Sequence, residues 1–508
     1  MIDKPADSMQ GAGPTADQDG SRLARANGHR SAGSLGDDPL ASADASTVNG
    51  ASPTASTLSD TDASTGNGAS PTASTLVGAD ASTVAGPQVG TADATRTVNV
   101  THSGSRNRAR ADVRAAKPDG SPRRPAAVEP TGRRHWFLTQ LRAAAPAMLG
   151  YAALRAFGMI VLVIWTLRRG ESVPHLFHRF DAQWYINIAV GGYDHANTIL
   201  PNGELKTSNL AFFPLFPGML RGVATVLPVT YVGAGLIIDW TASLVAAWGL
   251  FAVGRLLYSR RVGIVLALLW AVLPYAIDES INLTESLFTA LAAWCLYAVL
   301  TRRWLTAGVI ALIAGLSRPT AVALFAAVGV AALIALWRRE GPWWRPVVAT
   351  AISPLGWLAY LVWVAHRLHR ADGWFYVESQ IWHSSFDGGH YSAGMVVDTL
   401  TKKQETIEPY VVTLLLAIFV VLLVLSVMQR QPWPLLTYSA VLFVTTVGGA
   451  NFYHTDPRHL LPAFPVLLPL AVGVARLRIR NSVALIGLLA VISAWYGGYL
   501  ALLWGFSF

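Results

Sequence analysis

Apolar runs long enough to cross about 30 Å of hydrocarbon dominate the chain after residue 142, and that length constrains the fold more than any motif does. They fall near 145–167, 232–257, 262–278, 285–300, 304–316, 319–337, 346–366, 409–428, 433–450, 460–475 and 482–504. Backbone polar groups in lipid must be satisfied within the segment, so these runs predict helices. The expected fold is therefore all-α and polytopic, a bundle of about eleven transmembrane helices. With 52% hydrophobic and 14% charged residues in 508, the chain is far more apolar than a soluble protein of this size. The net charge of +9 does not imply nucleic acid, because the basic residues lie in the N-terminal tail and in short turns between apolar runs. The single cysteine, Cys295, excludes an intramolecular disulfide and a cysteine-based metal site. No charged-then-apolar leader opens the sequence, so the first spanning helix is expected to direct insertion.

Residues 1–134 form a different regime, rich in Ala, Ser, Thr, Gly and Asp. Asn49–Leu58 recurs as Asn67–Leu76, and Asp-Ala-Ser-Thr begins at Asp44, Asp62 and Asp80. A repeat this short has no apolar face to stack, so a disordered, cytoplasmic, low-complexity tail is expected. From Arg106 to Arg142 the tail turns basic, which suits anionic lipid headgroups. Residues 135–508 are expected to be the transmembrane domain.

The segment from Leu210 to Pro228 decides the topology. It is apolar, but Pro214, Pro217 and Arg221 interrupt it. If it does not cross, the basic turns Arg260-Arg261, Arg302-Arg303, Arg338-Arg339 with Arg345, Arg430, and Arg476/Arg478/Arg480 all share the side of the basic tail. If it crosses, all of them leave that side, against the positive-inside bias. We therefore read it as re-entrant or interfacial, within a large first external loop. The N-terminus is then cytoplasmic in a cell-membrane protein, and the C-terminus external.

That topology gathers polar groups on the external face, where charges near bilayer depth are costly and usually kept for a site. In Arg179–Tyr193, the residues Asp181, Trp184, Tyr185 and Ile188 share one face of a short helix that Gly191-Gly192 would end. Asp181 could equally be a helix N-cap, with the aromatics as interfacial anchors. Asn209–Pro217 is aromatic and proline-broken, carrying Phe212 and Phe213; such backbone either lines a cavity or is a simple kink. Asp278–Phe288 holds Asp278, Glu279 and Glu285, the last at a helix start that favours a carboxylate. Asn282-Leu283-Thr284 also fits the N-glycosylation pattern, a match common by chance. In Asp456–Pro462, Arg458 and His459 could bind a phosphate, or Arg458 could pair with Asp456.

These stretches resemble the PIG-V-type mannosyltransferases of the GT-C superfamily of membrane glycosyltransferases. The resemblance rests on Asp181-Ala182, Ile188-Ala189, Gly192-Tyr193, Ala211–Pro214 and Pro217, then Glu285–Phe288, then Ala314–Arg318. The stretch Arg458–Pro462 is similar to a more general GT-C pattern. The sequence departs from the family at Phe180, Gln183-Trp184 and Pro319-Thr320, which bears on the acceptor more than on the reaction. Composition and repeats are of an actinobacterial kind, which argues against a GPI-anchor acceptor. The resemblance implies a GT-C-like bundle that transfers mannose from a polyprenyl-phosphate donor to an external glycolipid or glycan. It gives Asp181 the role of general base, with inversion. Arg318, Arg458 and His459 would face the lipid phosphate, and Trp184, Tyr185, Phe212 and Phe213 the sugar and lipid. Glu285 would position sugar hydroxyls, with Asp278 and Glu279 as weaker members. No cofactor is implied, and a lipid-phosphate leaving group requires no metal, although the acidic residues could bind one. The rival reading is a transporter or flippase of a lipid-linked substrate, which predicts broken helices and internal repeats.

Overall fold

The computed structural model describes residues 132–198 and 206–504. The tail readings for residues 1–131 lie outside the described residues. Among the described residues the chain is helix and turn, apart from one isolated antiparallel bridge between Phe386 and Gly449. We number the helices used below as α1 (Gly132–Arg168), α2 (Asp181–Gly191), α3 (Leu215–Val226), α4 (Tyr231–Leu257), α5 (Arg260–Ala271), α6 (Glu285–Leu300), α7 (Trp304–Gly315) and α8 (Val322–Trp337). They continue as α9 (Trp344–Leu368), α10 (Glu408–Met428), α11 (Trp433–Val447) and α12 (Ile479–Leu502).

Every expected apolar run is helical over most of its length. Among the described residues six helices are long and apolar enough to cross a membrane: Leu138–Arg168, Tyr231–Leu257, Pro319–Trp337, Trp344–Leu368, Glu408–Met428 and Ile479–Leu502. The pair Tyr453–His459 and Phe464–Arg476 makes a seventh if its two halves, bent by 76°, count as one span. This is a multi-pass membrane protein. The helices α5, α6, α7 and α11 have 12 to 16 residues, shorter than the roughly 20 a straight crossing takes. The run expected to continue to residue 278 leaves the α-helix at Ala271, where Pro274 follows and a 3₁₀ turn, Ala276–Ser280, takes over. The bend in the broken segment lies where Pro462 and Pro465 interrupt the backbone ladder.

Small residues set how closely the helices approach, because lipid offers no hydrophobic drive for helix association. The core between α4 and α6 is lined by Ala246, Ala247, Ala292 and Ala293, and a Cβ at Gly249 would come within 2.7 Å of the Ala293 methyl. At the crossing of α7 and α9 a Cβ at Gly356 would meet the Leu312 carbonyl at 2.1 Å.

The segment from Leu210 to Pro228 has a 3₁₀ turn at Asn209–Ala211 and then α3, whose 12 residues rise about 18 Å and cannot span. Arg221 and Val226 on α3 are exposed. The irregular backbone before α3 has its carbonyls satisfied by side chains. The Tyr360 hydroxyl donates to Leu210 O (2.9 Å) and Phe212 O (2.8 Å), and Tyr193 also donates to Phe212 O (2.8 Å). The indoles of Trp374 and Trp382 reach Ala211 O (3.3 Å) and Ser208 O (2.9 Å). Four aromatic side chains thus do what a regular ladder would otherwise do.

Candidate functional site: an ion-pair cluster beside an aromatic wall

Asp181 is the first residue of α2. Its cap position is taken by Phe180, at φ +55°, with no side-chain capping bond. The carboxylate is thus not an N-cap, as the local reading allowed. Its Oδ2 accepts from Arg458 Nη2 at 2.5 Å. Arg458 sits in the short helix Asp456–His459 of the broken segment. Its Nε approaches Glu285 Oε1 at 3.2 Å, and Arg318 Nη1 donates to the same Glu285 oxygen at 2.8 Å. Four residues from four parts of the chain therefore form one chain of charge: Asp181, Arg458, Glu285, Arg318. Three are nearly closed to solvent, with Glu285 at 1%, Arg458 at 7% and Arg318 at 8% of side-chain surface exposed, while Asp181 keeps 20%. The alternative pairing of Arg458 with Asp456 gives way to partners better placed. His459 Nε2 lies 3.4 Å from Arg458 Nη2.

Glu285 opens α6, so its carboxylate also gains from the helix dipole, as the sequence suggested. The other two acids of that turn divide. Asp278 is wholly buried and within electrostatic reach of Arg458. Glu279 accepts from the Tyr151 hydroxyl at 2.7 Å and faces Arg155 at 3.9 Å, while staying within electrostatic reach of Glu285.

The aromatics divide in the same way. Tyr185 is buried within the field of Asp181, Arg318 and Glu285, and meets Phe212 edge-on at 5.2 Å. Trp184 stacks on Phe212 at 5.7 Å and 13°. Phe213 does not belong to this wall. It is 2% exposed and packs on Tyr360 (4.6 Å) and Trp374 (5.9 Å), because successive residues of an extended segment point to opposite sides.

The sequence reading missed the clamp that holds the acidic turn. Asp239, wholly buried in α4, accepts from the backbone N–H of Asn282 (2.6 Å) and Leu283 (3.3 Å). Asn282 is at φ +67°, a conformation asparagine tolerates better than most residues, and its amide donates to Phe177 O at 2.9 Å. A Cβ at Gly235, one turn before Asp239, would come within 2.4 Å of the Asn282 amide oxygen. Asn282 thus ties the turn that presents Glu285 to the segment that leads into Asp181. Being wholly buried, it is no glycosylation acceptor. The only prior signal was an intramembrane aspartate at position 239. Substituting Asn282→Ala leaves the Phe177 carbonyl unpaired and strains the positive φ. We expect a loss of about 1–3 kcal/mol in unfolding of the detergent-solubilised protein. Asn282→Gly, which relieves the φ, recovers only part.

A second missed element is Gly373–Trp382 in the loop after α9. Trp382 meets Trp184 edge-on at 5.3 Å and Phe212 at 5.4 Å. Among the described residues no three His, Cys, Asp or Glu side chains form a set that could hold a metal ion.

No protein-family model matches the chain, and no curated protein matches it. Among solved structures it is similar to ArnT from Cupriavidus metallidurans bound to undecaprenyl phosphate, with 14% identity and a TM-score of 0.42 over 66% of this chain and 63% of that one. It is also similar to the Archaeoglobus fulgidus oligosaccharyltransferase in the apo form, with 12% identity and a TM-score of 0.42 over 69% of this chain and 55% of that one. The matched region is under two thirds of the length of either protein.

Proposed function

We propose that the chain is a membrane glycosyltransferase of the GT-C kind, which transfers a hexose, mannose, from a polyprenyl-phosphate carrier to a glycolipid or glycan acceptor. The observation that carries this reading is the convergence of Asp181, Glu285, Arg318 and Arg458. A carboxylate that keeps a solvent-facing edge stands beside two nearly enclosed guanidiniums. The carboxylate can take a proton, and the guanidiniums suit a phosphate.

In the reaction the acceptor hydroxyl oxygen bonds to the anomeric carbon while the bond from that carbon to the phosphate oxygen breaks. The hydroxyl proton passes to Asp181, and the bonding pair leaves with the lipid phosphate. Arg458, Arg318 and His459 stabilise that charge, and attack opposite the leaving group inverts the anomeric centre. A donor phosphate that engages Arg458 competes with Asp181 for the guanidinium and frees the carboxylate for its proton. Glu285 orients the two arginines and the sugar hydroxyls. Asp278, within electrostatic reach of Arg458, is a further acid.

The charge count of the turns supports a site on the external face of the cell membrane, where a lipid-carried donor is needed because nucleotide sugars stay in the cytoplasm. Labelling of Glu204→Cys in a Cys295→Ser background tests the orientation, and reaction only from the cytoplasm would overturn it. The bend of 76° in the broken segment also suits a transporter of lipid-linked substrate. Membranes supplied with radiolabelled polyprenyl-phosphate mannose or GDP-mannose separate the readings. The glycosyltransferase reading expects label in a new product from the lipid donor alone. Movement of intact lipid between leaflets without transfer would favour the transporter.

A further inference from the structure

The reaction as written leaves Gly373–Trp382 without a task, although this segment is firmly docked. Val377 and Ile381 are buried against Leu210, Phe213 and Tyr360, and the Trp382 indole is bonded to Ser208 O. Val377–Ile381 is a single π-turn, a form frequent at functional sites. Trp184, Phe212 and Trp382 form a three-ring corner in which each ring remains partly open to solvent. The neighbouring Phe213, by contrast, is closed in the core. One turn before Trp382 lies Glu378, partly buried and within electrostatic reach of Asp181. Burial, with the Asp181 charge beside it, pushes its carboxyl up to about 8. At neutral pH it therefore holds its proton and can donate as well as accept.

Half-open rings next to hydrogen-bonding carboxyls match the two faces of a sugar, whose C–H groups rest on aromatics while its hydroxyls bond to carboxyls. We propose that Trp382 and Glu378, with Trp184 and Phe212, form the acceptor subsite, and that the acceptor presents a sugar ring there, one hydroxyl lying between Glu378 and Asp181. This rests on the function proposed above. The corner is assigned to the acceptor and not the donor because of how α2 points its rings. Tyr185 touches Phe212 too, but lies buried in the field of Asp181, Arg318 and Glu285, where the leaving phosphate would be held, whereas Trp184 meets Phe212 and Trp382. The loop after α9 then sets acceptor specificity.

The test uses the full chain in liposomes with radiolabelled polyprenyl-phosphate mannose as donor and octyl α-mannoside as acceptor probe. Trp382→Ala is expected to raise the acceptor KM about tenfold and leave the donor KM unchanged. Trp382→Phe keeps a ring for the sugar but loses the bond to Ser208 O, so its acceptor KM rises less than that of Trp382→Ala, and Glu378→Gln raises the acceptor KM severalfold. A rise in donor KM instead, or no change in either, would overturn the assignment while leaving the glycosyltransferase reading intact. Saturation-transfer NMR with methyl α-mannoside, without donor, separates the two. Binding by wild type and not by Trp382→Ala supports the subsite even if no transfer occurs. Equal signals from both proteins would refute it.

Discussion

Asp181→Asn lowers sugar transfer by about 10²–10⁴-fold at saturating donor and acceptor, the range a positioned general base contributes. The substitution is nearly isosteric. Its amide oxygen can still accept from Arg458, and α2 loses no capping bond because Asp181 makes none as an N-cap. What is lost is proton acceptance at an oxygen beside the aromatic wall. The charge-assisted bond to Arg458 weakens too, at a cost on the order of 1–3 kcal/mol in stability. The folded fraction of the purified variant, read by thermal unfolding, separates that from the chemical loss. An Asp181→Asn protein that is folded and fully active would remove the base assignment and leave the ion-pair cluster as a structural brace.

Arg458→Met has the largest expected effect on both stability and activity. Arg458 joins two carboxylates, and Glu285 is 1% exposed. Removing one partner of a buried pair typically costs about 3–5 kcal/mol, because the remaining charge is left uncompensated. Loss of a charge-stabilising donor from the reacting centre costs about 10²–10³ in rate. Arg458→Lys keeps the charge but not the fork, so one contact survives and the other fails. In the double variant Arg458→Met with Asp181→Asn, part of the lost stability returns, because one orphaned carboxylate is gone. Activity does not return. Unfolding midpoints of the two variants, compared with their transfer rates, check both halves of the prediction.

The parts of this molecule that a sequence reading reaches are those governed by composition and local geometry. Apolar length gave the helices, Gly192 ended α2, and Glu285 stood at a helix start. Proline positions predicted a broken stretch around Phe212 and left open what satisfied its carbonyls, which are met by Tyr360 and Tyr193, residues far apart in the chain. Adjacency in sequence does not fix which way a side chain points, so the partners of Glu279 and Phe213 were not legible from their neighbours Asp278 and Phe212. Glu279 goes to Tyr151 and Arg155, more than 120 residues away. The contacts of Trp382, Glu378 and Asn282 were not legible because they run to long-range partners, Trp184, Asp181 and Phe177. Likewise, Arg458's choice of Asp181 and Glu285 over nearby Asp456 is a tertiary fact. Local spacing offered Asp456 as the one nearby alternative.

The central claim is that Asp181 removes a proton while Arg318 and Arg458 receive a departing lipid phosphate, and such a displacement fixes the stereochemistry of the product. Purified chain in liposomes, given polyprenyl β-phosphate mannose labelled with ¹³C at the anomeric carbon and octyl α-mannoside, allows that to be read from the one-bond C–H coupling of the new linkage. The account predicts an α-linked product formed by wild type and not by Asp181→Asn. A β-linked product, or label transferred equally by both proteins, would contradict it.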